Sequence, residues 1–417
     1  MTRDLLKKTI TVLMAFCVVM VMCLAVPVSS YAAEPNFKLK AKSAILVDAR
    51  TGEVLYEKHA DKKYRPASMT KMMTAILVCE NVQDMSEKTK VSKYVTTIGG
   101  SAIGLKKNEE ISIDALLHAM LVYSANDCAV ALAEAVAGSV EDFADMMNKR
   151  AEELGCTNTH FVNPNGLDDD GHVSTARDMA IIARKAMEYE VIRDTVKMST
   201  YQIPKTNKRK SVTVGTTDRL LWDTYNWINV NGESRHPYYK YAVGIKTGYT
   251  DLAGGCLACK AVKGDEEYIS IVMHSTAFDR FADSIEIMEW AFDSFDRKTV
   301  AKKSEEKGEA QVKGGKESTV TAVAEKKLSI CIENGNESYD ENIEWIDVKA
   351  PVKQGDVVGK LIVTQGDTEK GTVNLVAAQD VEQSFVAKIL ENQIILIGIG
   401  IVLLLIIILA AVRKRRK

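Results

Sequence analysis

Three short clusters carry side chains suited to acyl transfer. Ser68 and Lys71 stand three apart in Arg65-Pro66-Ala67-Ser68-Met69-Thr70-Lys71, Ser124 and Asn126 flank Ala125, and Lys246-Thr247-Gly248 follows much later. A hydroxyl is a poor nucleophile until a base removes its proton. A lysine amine serves as that base only when burial or a second cation lowers its pKa. A serine and a lysine three apart also arise by chance: Ser304-Glu305-Glu306-Lys307 repeats the spacing inside a charged, solvated stretch. Alone, Asn126 reads as a helix cap beside Asp127, and Lys246 as a surface lysine on a strand. Context has to decide.

The elements around these clusters supply it. Pro66 cannot sit inside a helix, whereas Met69, Met72, Met73, Ile76, Leu77 and Cys79 have the apolar spacing of a buried one, so the pattern places Ser68 at a helix N-terminus. Positions three apart share a face there, and the N-terminus favours developing negative charge. Ile111 to Leu121 and Asp127 to Val136 read as helices broken at Tyr123-Ser124-Ala125-Asn126, which leaves polar groups on a loop between rigid elements. Glu141 to Leu154 and Thr175 to Met187 read as further helices. Between them lies the turn-rich Asn163-Pro164-Asn165-Gly166-Leu167-Asp168-Asp169-Asp170-Gly171, whose acidic run lacks calcium-loop spacing because His172 and Val173 stand where an oxygen ligand and a glycine are needed.

Strands are expected at Ser43 to Lys58, as a pair joined by a turn at Arg50-Thr51-Gly52, and again at Tyr241 to Ile245, Gly255 to Val262 and Tyr268 to His274, before a helix from Phe278 to Phe295. Strands at both ends of a helical middle predict one sheet assembled from distant parts of the chain, an α+β catalytic domain over 33–296. Residues 297–317, rich in Lys, Glu and Gly, read as a charged boundary segment. Beyond them, short strands at Ser318 to Val323, Leu328 to Ile332, Ile343 to Val348, Val357 to Val363 and Gly371 to Val376 predict a small all-β domain over 318–385, with no catalytic constellation.

The two ends bear on location. Arg3, Lys7 and Lys8 precede an apolar run from Ile10 to Val28 and then small residues, the layout of a secretory signal over 1–32 with the mature start near Ala33. Ile394 to Val412 is 19 residues without a charge, followed by Arg413-Lys414-Arg415-Arg416-Lys417. A run of that length spans a bilayer, and its basic flank stays cytoplasmic, so 386–417 reads as a membrane anchor that leaves the body extracytoplasmic. The formal net charge of −2 gives no electrostatic case for a nucleic-acid partner. Of eight cysteines, Cys256 and Cys259 form the one metal-like spacing. They fall on a strand, where positions three apart face opposite sides, so buried thiols are expected rather than a metal site.

Ser68-Met69-Thr70-Lys71, Ser124-Ala125-Asn126 and Lys246-Thr247-Gly248, in that order, resemble the motif set of the low-molecular-mass penicillin-binding proteins that act as D-alanyl-D-alanine carboxypeptidases. The likeness extends to Asn163-Pro164-Asn165-Gly166-Leu167, Leu220-Leu221-Trp222, Gly244 to Thr250, Ala350-Pro351-Val352 and Gly355 to Gly359, and covers roughly residues 36 to 385. It implies a transpeptidase or serine β-lactamase-like fold, no cofactor and no metal. The implied substrates are peptidoglycan stem peptides ending in D-Ala-D-Ala, with β-lactams as inhibitors.

By the same resemblance Ser68 is the nucleophile, Lys71 its base, Lys246 the cation that keeps Lys71 neutral, Ser124 a proton relay and Asn126 an orienting amide. The backbone N–H groups of Ser68 and Tyr249 form the oxyanion hole, and Tyr249 stands where the family more often has histidine. Lys246, Thr247 and Gly248 bind substrate, while Arg280 either supplies or organises the cation for its terminal carboxylate or is a structural ion pair. Three other readings share these residues: a serine β-lactamase, disfavoured because no Glu-x-x-Leu-Asn segment follows Ser124; a D,D-endopeptidase; and an inactive wall-binding or morphogenetic protein.

Overall fold

In the computed structural model, Pro35, residues 37–335 and residues 338–390 are described. The signal segment and the Ile394 to Val412 run lie outside them. Among the described residues no helix is long and apolar enough to cross a membrane.

The described chain divides into two compact units, one reaching Arg297 and including a short return that begins at Cys331, the other holding most of the chain beyond Arg297. The first is built on five antiparallel strands: β1 (Ser43–Asp48), β2 (Val54–Lys58), β3 (Ala242–Thr250), β4 (Gly254–Lys263) and β5 (Glu266–Ser275), in the spatial order β2-β1-β5-β4-β3. This is the single sheet from distant segments that the strand pattern predicts. Its apolar residues alternate between two cores. Ile45, Val47, Cys256, Ala258 and Ile271 enter one, and Leu46, Leu257, Cys259 and Val272 enter the other. Both faces are covered, so these strands read as nearly continuous apolar runs. Cys256 and Cys259 therefore point to opposite faces as buried free thiols.

On the first face pack the helices α1 (Lys71–Asn81), α2 (Ile113–Val122), α3 (Asn126–Ala137), α4 (Val140–Glu153), α5 (Ala176–Ala186) and α6 (Glu190–Val196); on the second packs α7 (Asp279–Ser294). Lys71 to Val78 are buried on every side, which suits α1 to the centre of that layer. A single 3₁₀ turn, Ala67–Thr70, precedes α1, so Ser68 sits in the tight turn leading into the helix rather than on its first α-helical residue. Strand β3 lies at the sheet edge and runs through Lys246-Thr247-Gly248 to Thr250, further than the pattern ending at Ile245 suggested.

The second unit contains a six-stranded sheet in the order Asp340–Trp345, Val357–Gln365, Thr368–Ala377, Thr319–Ala324, Glu306–Lys313 and Val348–Lys349. The expectation for 297–317 needs correction, because the stretch is mostly strand: Phe295–Ala301 and Glu306–Lys313 occupy it. In Glu306–Lys313 only Ala310 and Val312 are buried, an alternation hidden among the charges of its solvent-facing positions.

Candidate active site

The turn before α1, the α2–α3 junction, the 163–172 loop and the edge strand β3 converge on one amine. Lys71 Nζ lies 2.7 Å from Ser68 Oγ, 2.8 Å from Asn126 Oδ1 and 2.5 Å from the carbonyl oxygen of Asn165, and the side chain is fully buried. Asn126 Oδ1 and Asn165 O can only accept hydrogen bonds. They take two N–H groups. In the neutral amine the remaining position is a lone pair, directed at the Ser68 hydroxyl.

Burial pushes the Lys71 amine well below its ordinary value, and the Lys246 charge pushes in the same direction; Cys128 and Asp127 oppose them. Lys246, also buried, donates to the carbonyl of Thr247 at 3.0 Å and is brought down to about 7, by burial first and by Arg280, against the attraction of Asp218. The surface-lysine reading of Lys246 is thereby removed.

Asn126 is held so that its oxygen faces Lys71. Its amide nitrogen donates to Gly99 O at 2.8 Å and its backbone N–H to Ser101 O at 2.6 Å. It does not cap α3; Ala125 occupies the cap position without a side-chain bond. The buried Asp127 carboxylate accepts from the backbone N–H groups of Ile103, Gly104 and Leu105, fixing the neighbouring loop to the start of α3. Ser124 is buried at the turn between α2 and α3 with φ +63, a left-handed conformation that non-glycine residues rarely adopt.

Close backbone packing sets the nucleophile. Ala67 has φ +47, and its carbonyl accepts from Thr70 Oγ1 at 2.8 Å. Thr70 Oγ1 in turn meets His172 Nε2 at 2.8 Å. His172 Nδ1 accepts the Val162 N–H at 3.0 Å, so the proton of the neutral ring sits on Nε2, and burial lowers this histidine to about 4. Gly166, at φ +81, leaves no room for a side chain: a Cβ there would stand 1.9 Å from Ala67 O. A Cβ at Gly248 would stand 2.9 Å from Pro66 O and 3.1 Å from the Ser68 nitrogen, so the end of β3 lies against the Ser68 backbone.

At the same end Thr247 Oγ1 and Thr217 Oγ1 are 2.5 Å apart. Arg280, in the first turn of α7, donates from Nη1 to Gly248 O at 2.6 Å, while its Nε is buried without a partner. Tyr249, beyond Gly248, exposes its side chain. Asp168 and Asp170, in the acidic loop, meet Thr250 Oγ1 and Arg65 at 2.9 Å each, tying the loop to both sides of the site.

Four contributors escaped the sequence reading. The Asn165 carbonyl is a main-chain atom with no signature of its own, although its loop was singled out. Thr217 and Asp218 precede the quoted Leu220-Leu221-Trp222, and neither has a motif. Asp218 is fully buried, raised to about 6 by that burial, and has one carboxylate oxygen without a partner. His172 was read only as a residue out of place in a calcium loop.

Two outcomes follow from this geometry. Gly166→Ala should displace the Ala67-Ser68 backbone, cost on the order of 1–3 kcal/mol of stability in thermal unfolding and abolish penicillin acylation. Lys246→Gln removes the positive charge that helps discharge Lys71, so Lys71 should keep its proton to higher pH. The acid limb of the residual acylation profile should move upward, as measured by stopped-flow acylation across pH.

Both parts of the chain are similar to known proteins. Residues 29–277 match the family described as D-alanyl-D-alanine carboxypeptidase, and residues 295–383 match the C-terminal domain of penicillin-binding protein 5. The D-alanyl-D-alanine carboxypeptidase DacF of Bacillus subtilis is 33% identical over 353 residues, covering 83% of this chain and 87% of that protein. Among solved structures, PBP3 of Streptococcus pneumoniae, described as a peptidoglycan synthesis regulatory factor, superposes with a TM-score of 0.73 at 28% identity, over 83% of this chain and all of that one. Penicillin-binding protein D2 of Listeria monocytogenes in its ampicillin-bound form matches at a TM-score of 0.52 and 32% identity, over 62% of this chain and all of that one. With a buried lysine amine on its serine, the matched stretch covering more than half its length and a relative one-third identical over most of it, this chain belongs to the D-alanyl-D-alanine carboxypeptidase family.

Proposed function

We propose that the chain removes the terminal D-alanine from peptidoglycan stem peptides through an acyl-enzyme on Ser68, and that β-lactams acylate the same serine. The observation that carries this reading is the fully buried Lys71 amine 2.7 Å from the Ser68 hydroxyl, with Asn126 Oδ1 and the Asn165 carbonyl as its other two neighbours.

In the forward step Lys71 Nζ takes the Ser68 proton as Oγ bonds to the carbonyl carbon between the two D-alanines. The developing oxyanion is met by the backbone N–H groups of Ser68 and Tyr249, donors of a kind worth roughly 3 kcal/mol each. Collapse breaks the C–N bond. The proton held by Lys71 passes through Ser124 to the leaving amine, and free D-alanine departs. Water then attacks the ester, gives a proton to Lys71 and releases the shortened peptide, and the proton returns to Ser68. Asn126 orients both Lys71 and the substrate amide. The edge position of β3 lets an extended peptide align along Lys246-Thr247-Gly248, with its terminal carboxylate at Thr247 and Arg280 organising that strand from behind.

For location, we carry forward the reading from the two ends: a signal over 1–32, a bilayer anchor formed by Ile394 to Val412, and the catalytic unit outside the cell with the basic tail inside. Phe385, Val386, Ile389 and Leu390, exposed in the last described helical turns, suit the approach to a lipid surface.

The test is mass spectrometry of the protein after incubation with penicillin, run beside release of D-alanine from a peptide ending in D-Ala-D-Ala. A slowly hydrolysed adduct on Ser68 together with D-alanine release is expected. Rapid penicillin turnover would indicate a β-lactamase, an adduct without D-alanine release a different wall peptide bond, and neither signal from folded protein a wall-binding role.

A further inference from the structure

We propose that the hairpin segment 222–238 is a saccharide platform that binds N-acetylated hexosamine rings of the glycan bearing the stem peptides, an inference that rests on the peptidoglycan reading above. Between residues 222 and 240 Ile228, Val230 and Tyr239 are buried, whereas four aromatic residues, Trp222, Tyr225, Trp227 and Tyr238, are exposed, Tyr225 to 79% and Trp227 to 64%. Four large aromatic rings left outside along so short a stretch mark a surface built for contact.

The segment is braced. The Tyr238 N–H donates to Asp223 O and the Tyr239 N–H to Leu220 O, both at 2.9 Å, which closes its base. The Asp223 carboxylate accepts from the backbone N–H groups of Tyr225 and Asn226 at 3.1 and 3.0 Å. Two short strands, Ile228–Val230 and Glu233–Arg235, are joined through Asn231-Gly232, both at positive φ as a tight hairpin turn requires. Glu286 of α7 accepts the Asn231 N–H at 2.7 Å, and Glu289 pairs with Arg235 at 2.7 Å. The Trp227 ring packs on His236 with centroids 4.1 Å apart. The backbone that carries these rings, and the Trp227 ring itself, are therefore held in place before any ligand arrives, which lowers the ordering cost of binding.

The chemistry of the occupant follows from the neighbours. Flat rings accept the C–H face of a sugar, and the exposed Asn226 and Asn229 beside them supply hydrogen bonds for its hydroxyl and acetamido groups. The platform is also continuous with the reactive centre. The Arg219 guanidinium lies over both Trp222, at 5.9 Å, and Phe278, at 4.7 Å, and Phe278 is two residues from Arg280, which holds Gly248 O.

The experiment compares the full chain with Trp227→Ala, Tyr225→Ala and Trp227→Tyr on two substrates: a soluble peptide ending in D-Ala-D-Ala and uncross-linked polymeric peptidoglycan. Either alanine variant should raise KM on the polymer about tenfold, the scale on which aromatic anchors act, with soluble-peptide kinetics and penicillin acylation unchanged. Trp227→Tyr should restore most of the loss, and N-acetylglucosamine tetramer should compete with the polymer for the wild-type protein. Equal kinetics of all variants on the polymer would overturn the proposal, as would a parallel loss on both substrates. A wild-type dimer that Trp227→Ala disperses in sedimentation velocity would overturn it too, by assigning the patch to a second copy of the chain. Were the wild type to release no D-alanine from the soluble peptide, the hydrolytic reading would fail separately, and co-sedimentation with the polymer would still decide the platform.

Discussion

A fully buried lysine amine facing three oxygen atoms is the constraint to which the catalytic unit answers. An ammonium ion at the Lys71 position would have to be stripped of its hydration, and the Lys246 charge nearby makes it less favourable still. Both effects favour the neutral amine, the form a serine needs beside it. Its three neighbours come from separate stretches of chain: Ser68 from the turn before α1, Asn126 from the start of α3, and Asn165 from a loop 94 residues beyond Lys71. Each of these must be fixed by something else, because no single element positions them all.

Much of that fixing is done by backbone rather than side chains. The 163–172 loop closes on the nucleophile turn so tightly that Gly166 meets Ala67 O, and β3 meets the same turn at Gly248. The buried neutral His172 holds Thr70, and Thr70 holds the Ala67 carbonyl. On the far side Asp127 gathers three N–H groups of the 103–105 loop, so the Asn126 that follows from Ala125 cannot drift. Positive φ at Ala67 and Ser124 brackets the site. Such conformations cost about 1–3 kcal/mol each, and they persist because the surrounding contacts over-determine them.

The legible part of this arrangement was the part written in side-chain type and period. The five-stranded sheet and α1 to α5 follow from apolar spacing, and Ser68, Lys71 and Asn126 meet as their motifs imply. Backbone contributions were silent: no pattern of residue types marks the Asn165 carbonyl as a lysine partner. Short elements were missed for a different reason. The hairpin at Ile228–Val230 and Glu233–Arg235 has strands of three residues, too brief for an alternation to show, and α6 is only seven residues long. The strand Glu306–Lys313 was read as charged boundary because its buried positions hold a mere alanine and valine between lysines and glutamates. Asp218 carries no motif, and its proximity to Lys246 and Arg280 exists only once α7 and β3 are packed together.

The central claim is that Lys71 is an uncharged amine while the enzyme rests near neutral pH. Labelling lysine side chains with carbon-13 at Cε and following their chemical shifts against pH, with Lys71→Arg to assign the signal, tests it directly. The account predicts a Lys71 resonance at the neutral-amine position at pH 7, titrating far below the exposed lysines. A Lys71 signal that remains an ammonium at pH 7 and titrates with the surface lysines would contradict it.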